Sequence, residues 1–331
     1  MITVAIVTNV AFHIKGRDYG SEDIFLAQEL RKRDLLVQLI HPEELLPLTS
    51  TAANTALLQS VDVLLFRNNY GGPLEQQYRA KLAEFLLDPV ASHTVFNDFA
   101  GCKGDFQGKQ HLLDLYALNY PVIPTTQNLH DLDSSSSSSD SNFTSNASTY
   151  MVKSKTGADS NDMQGHLKRE QAIQEFNRLN SSNDTGGYLI QPMVEFSCEI
   201  SFFYFEGDFM YAVSNGSDSV ADPTVDVADA QAAATAKRWA LTMYDPTTAD
   251  LEFAQQFVEW NKCHRQIQRI DACRLVATGA LLLMEIEDYN CWLSLQDVEE
   301  QRPQLLKKFV DRLALSLKNF VTSSIGWVRS E

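Results

Sequence analysis

Apolar positions in the first hundred residues fall into short runs separated by amphipathic stretches. β-rich runs at 4–8, 36–40, 61–66 and 93–97 alternate with helical patterns at 22–33 and 74–87. That rhythm predicts an open α/β layer with a mainly parallel sheet. Residues 198–213 hold an aromatic run, a Glu206-Gly207-Asp208 turn and a second apolar run, which reads as a hairpin. Helical spacing recurs at 228–243 and 251–268. A last amphipathic helix is predicted over 303–321, with Leu305, Leu306, Phe309, Leu313, Leu317 and Phe320 along one stripe.

One apolar run carries charge where a core strand is usually continuous. In Gly279-Ala-Leu-Leu-Leu-Met-Glu285-Ile-Glu287 the two glutamates share a face, while Met284 and Ile286 point to the other. Arg269 and Asp271 repeat the alternation on the preceding apolar segment, and a turn near Thr278-Gly279 folds the two into a hairpin. One cation and three carboxylates then converge. Like charges that close stay ionised only with a cation, a shared proton or basic partners. Hard divalent ions such as Mg2+ take oxygen ligands of this kind and bridge them to phosphates. Arginine suits bidentate binding of phosphoryl oxygens. Two plainer readings stay open: solvated glutamates on an edge strand, and a cross-strand ion pair.

An Arg-x-Asp strand followed by an apolar Glu-x-Glu strand resembles the C-terminal hairpin of the ATP-grasp superfamily, most closely its glutathione-synthetase-like and ribosomal-protein-S6-modification-like carboxylate-amine ligases. The resemblance extends over most of the chain. Tyr188-Leu-Ile-Gln191-Pro-Met193-Val194, with Glu195 after it, is similar to the family's strand and hinge beside adenine. Cys198-Glu199 opens what looks like its Glu-led hairpin. Tyr150-Met-Val-Lys153-Ser-Lys155-Thr-Gly157 resembles the strand with an ATP-binding lysine, and Gly108-Lys109, followed by Tyr120-Pro-Val-Ile-Pro124-Thr125, the helix and strand that open the nucleotide region.

The resemblance implies an α+β ATP-grasp core. An α/β pre-ATP-grasp domain would span 1–107, a lid subdomain 108–190, and a large subdomain with the metal site 191–331. It implies ATP and Mg2+ (or Mn2+) as cofactors. Lys109, Lys153, Gln191, Met193, Val194, Glu195 and Glu199 would hold the nucleotide, Asp271, Glu285 and Glu287 the metal, and Arg269 would act catalytically. Arg67 follows a strand in the N-terminal layer, where open α/β sheets place ligands. There it would hold a substrate carboxylate or cap a loop.

Composition narrows the function classes. A formal charge of −16 with no basic block argues against nucleic-acid binding. No apolar run reaches the roughly 18 residues of a membrane span, and the N-terminus reads as a strand without a basic leader, so a cytoplasmic location is expected. Five cysteines without Cys-x-x-Cys spacing argue against a zinc site or disulfide framework and for reduced thiols. The serine-rich stretch within 131–149 cannot bury enough apolar surface to order itself, and a disordered insertion is expected there. A homodimer is the default for a soluble enzyme of this size.

The leading hypothesis is an ADP-forming carboxylate-amine ligase acting through an acyl phosphate, with small-molecule or peptide carboxylate and amine substrates. A second is a catalytically degenerate relative that binds nucleotide or a protein partner. Close relatives carry a lysine and an arginine where this chain reads Ser214-Asn-Gly-Ser-Asp-Ser-Val-Ala-Asp-Pro223, and it has acids, not several glycines, after Gly157. A kinase on the same scaffold would share every nucleotide residue.

Overall fold

Ile2–Thr8 (β1) is buried from Val4 onward, as a strand covered on both faces must be. It is the middle strand of a parallel sheet in the computed structural model, which describes residues 1–11, 13–14, 17–48, 53–68, 75–88, 94–128, 149–156, 163–181, 187–216, 241–289 and 291–328. Helix α1 (Tyr19–Arg31) leads to β2 (Leu35–Ile40) on one side of β1. Short helices α2 (Pro42–Leu45) and α3 (Thr55–Gln59) lead to β3 (Val63–Asn68) on the other, and α4 (Glu75–Phe85) follows. The α/β rhythm of the sequence is thus realised. The run at 93–97 contributes a single parallel bridge, Leu64 to Val95.

Helix α5 (Gln110–Ala117) precedes a three-stranded antiparallel sheet of β4 (Tyr150–Ser154), β5 (Met163–Leu167) and, beyond α6 (Arg169–Ser181), β6 (Tyr188–Pro192). Its strand order is β5-β4-β6. The expected strand at 120–125 is reduced to isolated bridges, Val122 to Leu283 and Thr126 to Ile190. Pro121 and Pro124 have no N–H to give a ladder.

The largest sheet combines β7 (Phe196–Phe205), β8 (Asp208–Gly216), β9 (Thr242–Tyr244), β10 (Ile267–Leu275) and β11 (Leu281–Glu287) in the order β9-β8-β7-β10-β11, all antiparallel. Helix α7 (Thr248–Asn261) stands between β9 and β10, and α8 (Leu295–Gln301) and α9 (Pro303–Val328) close the chain.

Two helical expectations fail here. Residues 242–244, predicted to end a helix, pair with β8; 217–240 lie outside the described residues. The helix predicted over 251–268 stops at Asn261, because Lys262 turns left-handed (φ 56°) and the chain from Ile267 pairs with β7. Sheet pairing overrides the local helical period at that point. The serine-rich tract and 157–162 also lie outside the described residues.

The hydrophobic core crosses the sheets. Val4, Ile6 and Leu65 of the parallel layer share one cluster with Phe203, Phe205, Phe309 and Leu313. Burying one apolar surface from both ends of the chain fixes the N-terminal layer against the large sheet.

Candidate active site

The expected β10–β11 hairpin is present, and its register sets Arg269 opposite Glu287 and Asp271 opposite Glu285, with Gly279 in the turn at φ +71°. The positive φ is one a glycine adopts without steric cost. Arg269 is 7% exposed and grips Asp271 as a fork, Nε to Oδ1 at 2.9 Å and Nη2 to Oδ2 at 2.8 Å. Nη2 also donates to Glu287, and Nη1 donates to the Trp292 carbonyl at 3.1 Å. The Ser201 hydroxyl, from the neighbouring strand β7, donates to Asp271 Oδ1 at 2.6 Å. The cross-strand ion pair left open by the sequence is therefore present.

Glu285 is turned toward the start of α5, with the Lys109 ammonium 2.7 Å from its Oε1. Burial works to raise the Glu285 carboxyl, but Lys109 and Lys153 outweigh it and hold the group at about 2. Burial works to lower Lys109, and Glu285 outweighs that, keeping the lysine above its usual value. Lys153 on β4 shows the opposite balance. Its burial exceeds the attraction of Glu285, and it is pulled down to about 8.

Gly108 makes the approach of α5 to the end of β4 sterically feasible. It sits at φ +79°, and a Cβ there would lie 2.7 Å from the Lys155 carbonyl oxygen, which accepts the Lys109 N–H at 2.6 Å. The close approach seats the start of α5 on the end of β4 and brings Lys109 beside Lys153.

His111 was missed in the sequence because nothing in its spacing marks it. It is 1% exposed; the Ile286 N–H donates to its Nε2 at 3.2 Å, and its Nδ1 lies 3.0 Å from the Gly108 carbonyl. Accepting at Nε2 requires the Nδ1–H tautomer, a neutral ring. Burial, which lowers its basicity, favours the same state. This imidazole ties the lysine-bearing turn to the strand between Glu285 and Glu287.

The residues expected beside adenine border the same region. Gln191 is buried and donates from Nε2 to the Thr125 hydroxyl at 2.7 Å. The Met193 N–H donates to the Thr149 carbonyl at 2.9 Å, and the Glu195 carbonyl accepts the Val276 N–H at 3.2 Å. Val194 packs against the cluster of Ile123, Cys273 and Leu275. Glu195 is exposed, and Glu199 stands opposite Cys273 on the large sheet.

Arg67 departs from its expected part as a hook for a substrate. It is 2% exposed, with Nε 3.1 Å from Asp23, Nη2 3.1 Å from Glu22, and Nη1 donating to the Cys291 carbonyl at 3.2 Å. Glu22 also accepts the N–H groups of Leu293 and Leu295, at 2.8 and 3.1 Å. A buried guanidinium needs such partners. As placed, Arg67 clamps the N-terminal layer to the segment whose Trp292 carbonyl holds Arg269.

Three carboxylates fit a hard cation such as Mg2+, since all donors are oxygen and each side chain keeps about a fifth of its surface exposed (19% for Asp271, 22% for Glu285, 20% for Glu287). Their ligand atoms do not all lie within 4.8 Å of one another; among the described residues only Cys102, Cys263 and Asp288 form such a group. Mg2+ usually takes one or two carboxylates, waters and substrate phosphates, so that spread suits it.

By sequence, no family model and no curated protein matches this chain. Solved structures do match over nearly its full length. D-cycloserine synthetase DcsG aligns with a TM-score of 0.61 at 19% identity, covering 94% of this chain and 99% of that one. ATP-grasp ligase PsnB, complexed with a minimal precursor, aligns at 0.57 and 10% identity over 95% and 99%. D-alanine–D-alanine ligase from Bacillus anthracis aligns at 0.52 and 12% identity over 100% and 99%. The chain has the ATP-grasp fold. Among the described residues no helix is long and apolar enough to cross a membrane.

Proposed function

We propose that the protein is an ATP-dependent, ADP-forming carboxylate-amine ligase that acts through an acyl phosphate on a small molecule or peptide. The observation that carries this reading is the contact of Lys109 with Glu285, 2.7 Å between the start of α5 and β11, beside the Arg269–Asp271–Glu287 cluster. Cations and carboxylates carried by separate elements meet there, and a polyphosphate with its metal needs both signs of charge.

In this reading Lys109 and Lys153 hold phosphate oxygens, and Gln191, Met193, Val194, Glu195 and Glu199 line the nucleoside end. Asp271, Glu285 and Glu287 would hold Mg2+, or Mn2+ in its place, which supplies charge neutralisation at the phosphates. Arg269, fixed by Asp271 and the Trp292 carbonyl, presents positive charge to the phosphoryl group as it passes from ATP to a carboxylate oxygen. ADP leaves, and an amine nitrogen attacks the acyl carbon and releases phosphate. No nucleophilic side chain is required. That DcsG and D-alanine–D-alanine ligase bear small-molecule names while PsnB is complexed with a precursor leaves both substrate sizes in play.

A degenerate relative that binds nucleotide or a protein partner is the second reading, favoured by the lack of lysine and arginine in 214–223. Calorimetric titration with a non-hydrolysable ATP analogue, with and without Mg2+, tests the site. Metal-dependent binding that is lost in Glu285→Gln/Glu287→Gln is expected, and absence of binding in the unaltered protein would sink the ligase and favour a relative that binds a protein partner. Amine- and carboxylate-dependent ADP release then separates ligase from relic.

A further inference from the structure

One residue beyond Glu287, Asp288 turns into the protein. It is 1% exposed, and its carboxylate accepts the backbone N–H groups of Gly104 and Phe106, at 2.9 and 3.0 Å, and Asn261 Nδ2 at 2.9 Å. These three partners are neutral, and the buried Asp105 carboxyl, pushed up by burial and by Asp288, also hydrogen-bonds the Asp288 side chain. Among the described residues no lysine or arginine pairs with it, and Arg79 nearby is turned to the Tyr289 ring, 4.5 Å from its centroid, and to the Asp105 carbonyl. A buried carboxylate is ordinarily paired or bound to a metal.

Two thiols close on the same carboxylate. Cys263 Sγ lies 3.8 Å from Asp288 Oδ2, and Cys102 Sγ, Cys263 Sγ and a carboxylate oxygen of Asp288 all lie within 4.8 Å of one another, with all three residues buried. Cys102 Sγ is also 3.2 Å from the Asp98 carbonyl oxygen. Zinc bound tetrahedrally at about 2.3 Å from sulfur and about 2.0–2.2 Å from oxygen separates its donors by roughly 3.5–3.8 Å. The Cys263–Asp288 separation of 3.8 Å stands at that spacing, and the remaining pairs lie within 4.8 Å. The contacts from Gly104, Phe106 and Asn261 supply the outer hydrogen bonds that orient a metal-binding carboxylate.

We propose that Cys102, Cys263 and Asp288 form a structural site for a thiophilic divalent cation, Zn2+, with the Asp98 carbonyl as the fourth donor. Binding converts two thiols to metal-bound thiolates and releases two protons to solvent; no oxidant or reductant takes part. The site is separate from the hard-cation platform in its donors and does not rest on the ligase reading. It joins three segments of the candidate active site: the connection leading to Gly108 and Lys109, the turn leading into the Arg269 strand, and the end of the strand carrying Glu285 and Glu287. The cysteines are far apart in the chain, which is why no spacing motif announced them.

The test uses the full-length protein, purified with reductant and stripped of metal by a chelator. Titration with Zn2+ is expected to show one tight site per chain and a raised melting temperature. Cd2+ in its place is expected to give the ultraviolet charge-transfer band of a sulfur–cadmium bond. Cys102→Ser and Cys263→Ser should each weaken binding by about 100-fold or more and diminish the band, whereas Glu285→Gln should keep both. Absence of tight Zn2+ binding would overturn the proposal. So would Cd2+ binding without the sulfur band, which reads the ligands in the unaltered protein even if the serine variants fail to fold. Zinc lost in Glu285→Gln but kept in the cysteine variants would place the ion on the hairpin carboxylates and refute the site equally.

Discussion

Lys153 is where a single residue sets the working pH of the site. Its pKa, lowered to about 8 chiefly by burial, means that the free protein loses this charge as pH rises through that value. A bound triphosphate favours the ammonium, so nucleotide binding at about pH 8.5 should take up roughly three quarters of a proton. Calorimetry at about pH 8.5 in buffers of different ionisation enthalpy reads this uptake. Its absence would show that Lys153 does not meet the phosphates. Glu285 has the opposite sign. Its carboxyl is depressed to about 2, so it adds stability above the ordinary carboxylate value of 4.5 and loses it as pH falls toward 2. The contribution is on the order of 2 kcal/mol after solvent screening. Glu285→Gln should therefore flatten the acid limb of a melting-temperature profile between about pH 4.5 and 2, and an unchanged limb would contradict the pairing with Lys109.

Between elements, the decisive contact is the seat of α5 on β4. Gly108→Ala adds a methyl 2.7 Å from the Lys155 carbonyl at a φ of +79°, so the seat must shift. The expected cost is about 1–3 kcal/mol, with weaker nucleotide binding because Lys109 moves from Glu285. A thermal melt and an analogue titration equal to those of the unaltered protein would refute it. His111→Leu should act from the other side, since the N–H of Ile286 would be left buried without an acceptor at a cost of about 1–3 kcal/mol; urea denaturation measures it. At this scale the hairpin of Arg269, Asp271, Glu285 and Glu287 was legible because a period of two survives in any strand pairing. The end of α7 was not. Residues 262–268 keep an amphipathic spacing, and only the pairing of Ile267 and its successors with β7 ends the helix before them.

Across the whole molecule, Phe205 marks how the two ends of the chain are joined. It is fully buried, stacks on Phe96 at 6.2 Å between centroids and meets Phe309 edge-on at 6.2 Å. Phe205→Ala should cost about 3–5 kcal/mol. Because its cluster includes both β1 and α9, intrinsic fluorescence and circular dichroism should report one shared unfolding transition. Separate transitions for the N-terminal layer and the large sheet would contradict that coupling.

The sequence alone determined the alternation of strands and helices and the hairpin that carries Arg269, Asp271, Glu285 and Glu287. Each is a local pattern of side-chain type and period, and local patterns survive folding. The tertiary structure decided which distant groups share a charge environment. It set Lys109 on Glu285, made Arg67 an internal clamp, fixed the tautomer of His111, and brought Cys102 and Cys263 onto Asp288. Those outcomes depend on burial and on contacts between segments remote in the chain, and no periodicity along the sequence encodes such distances.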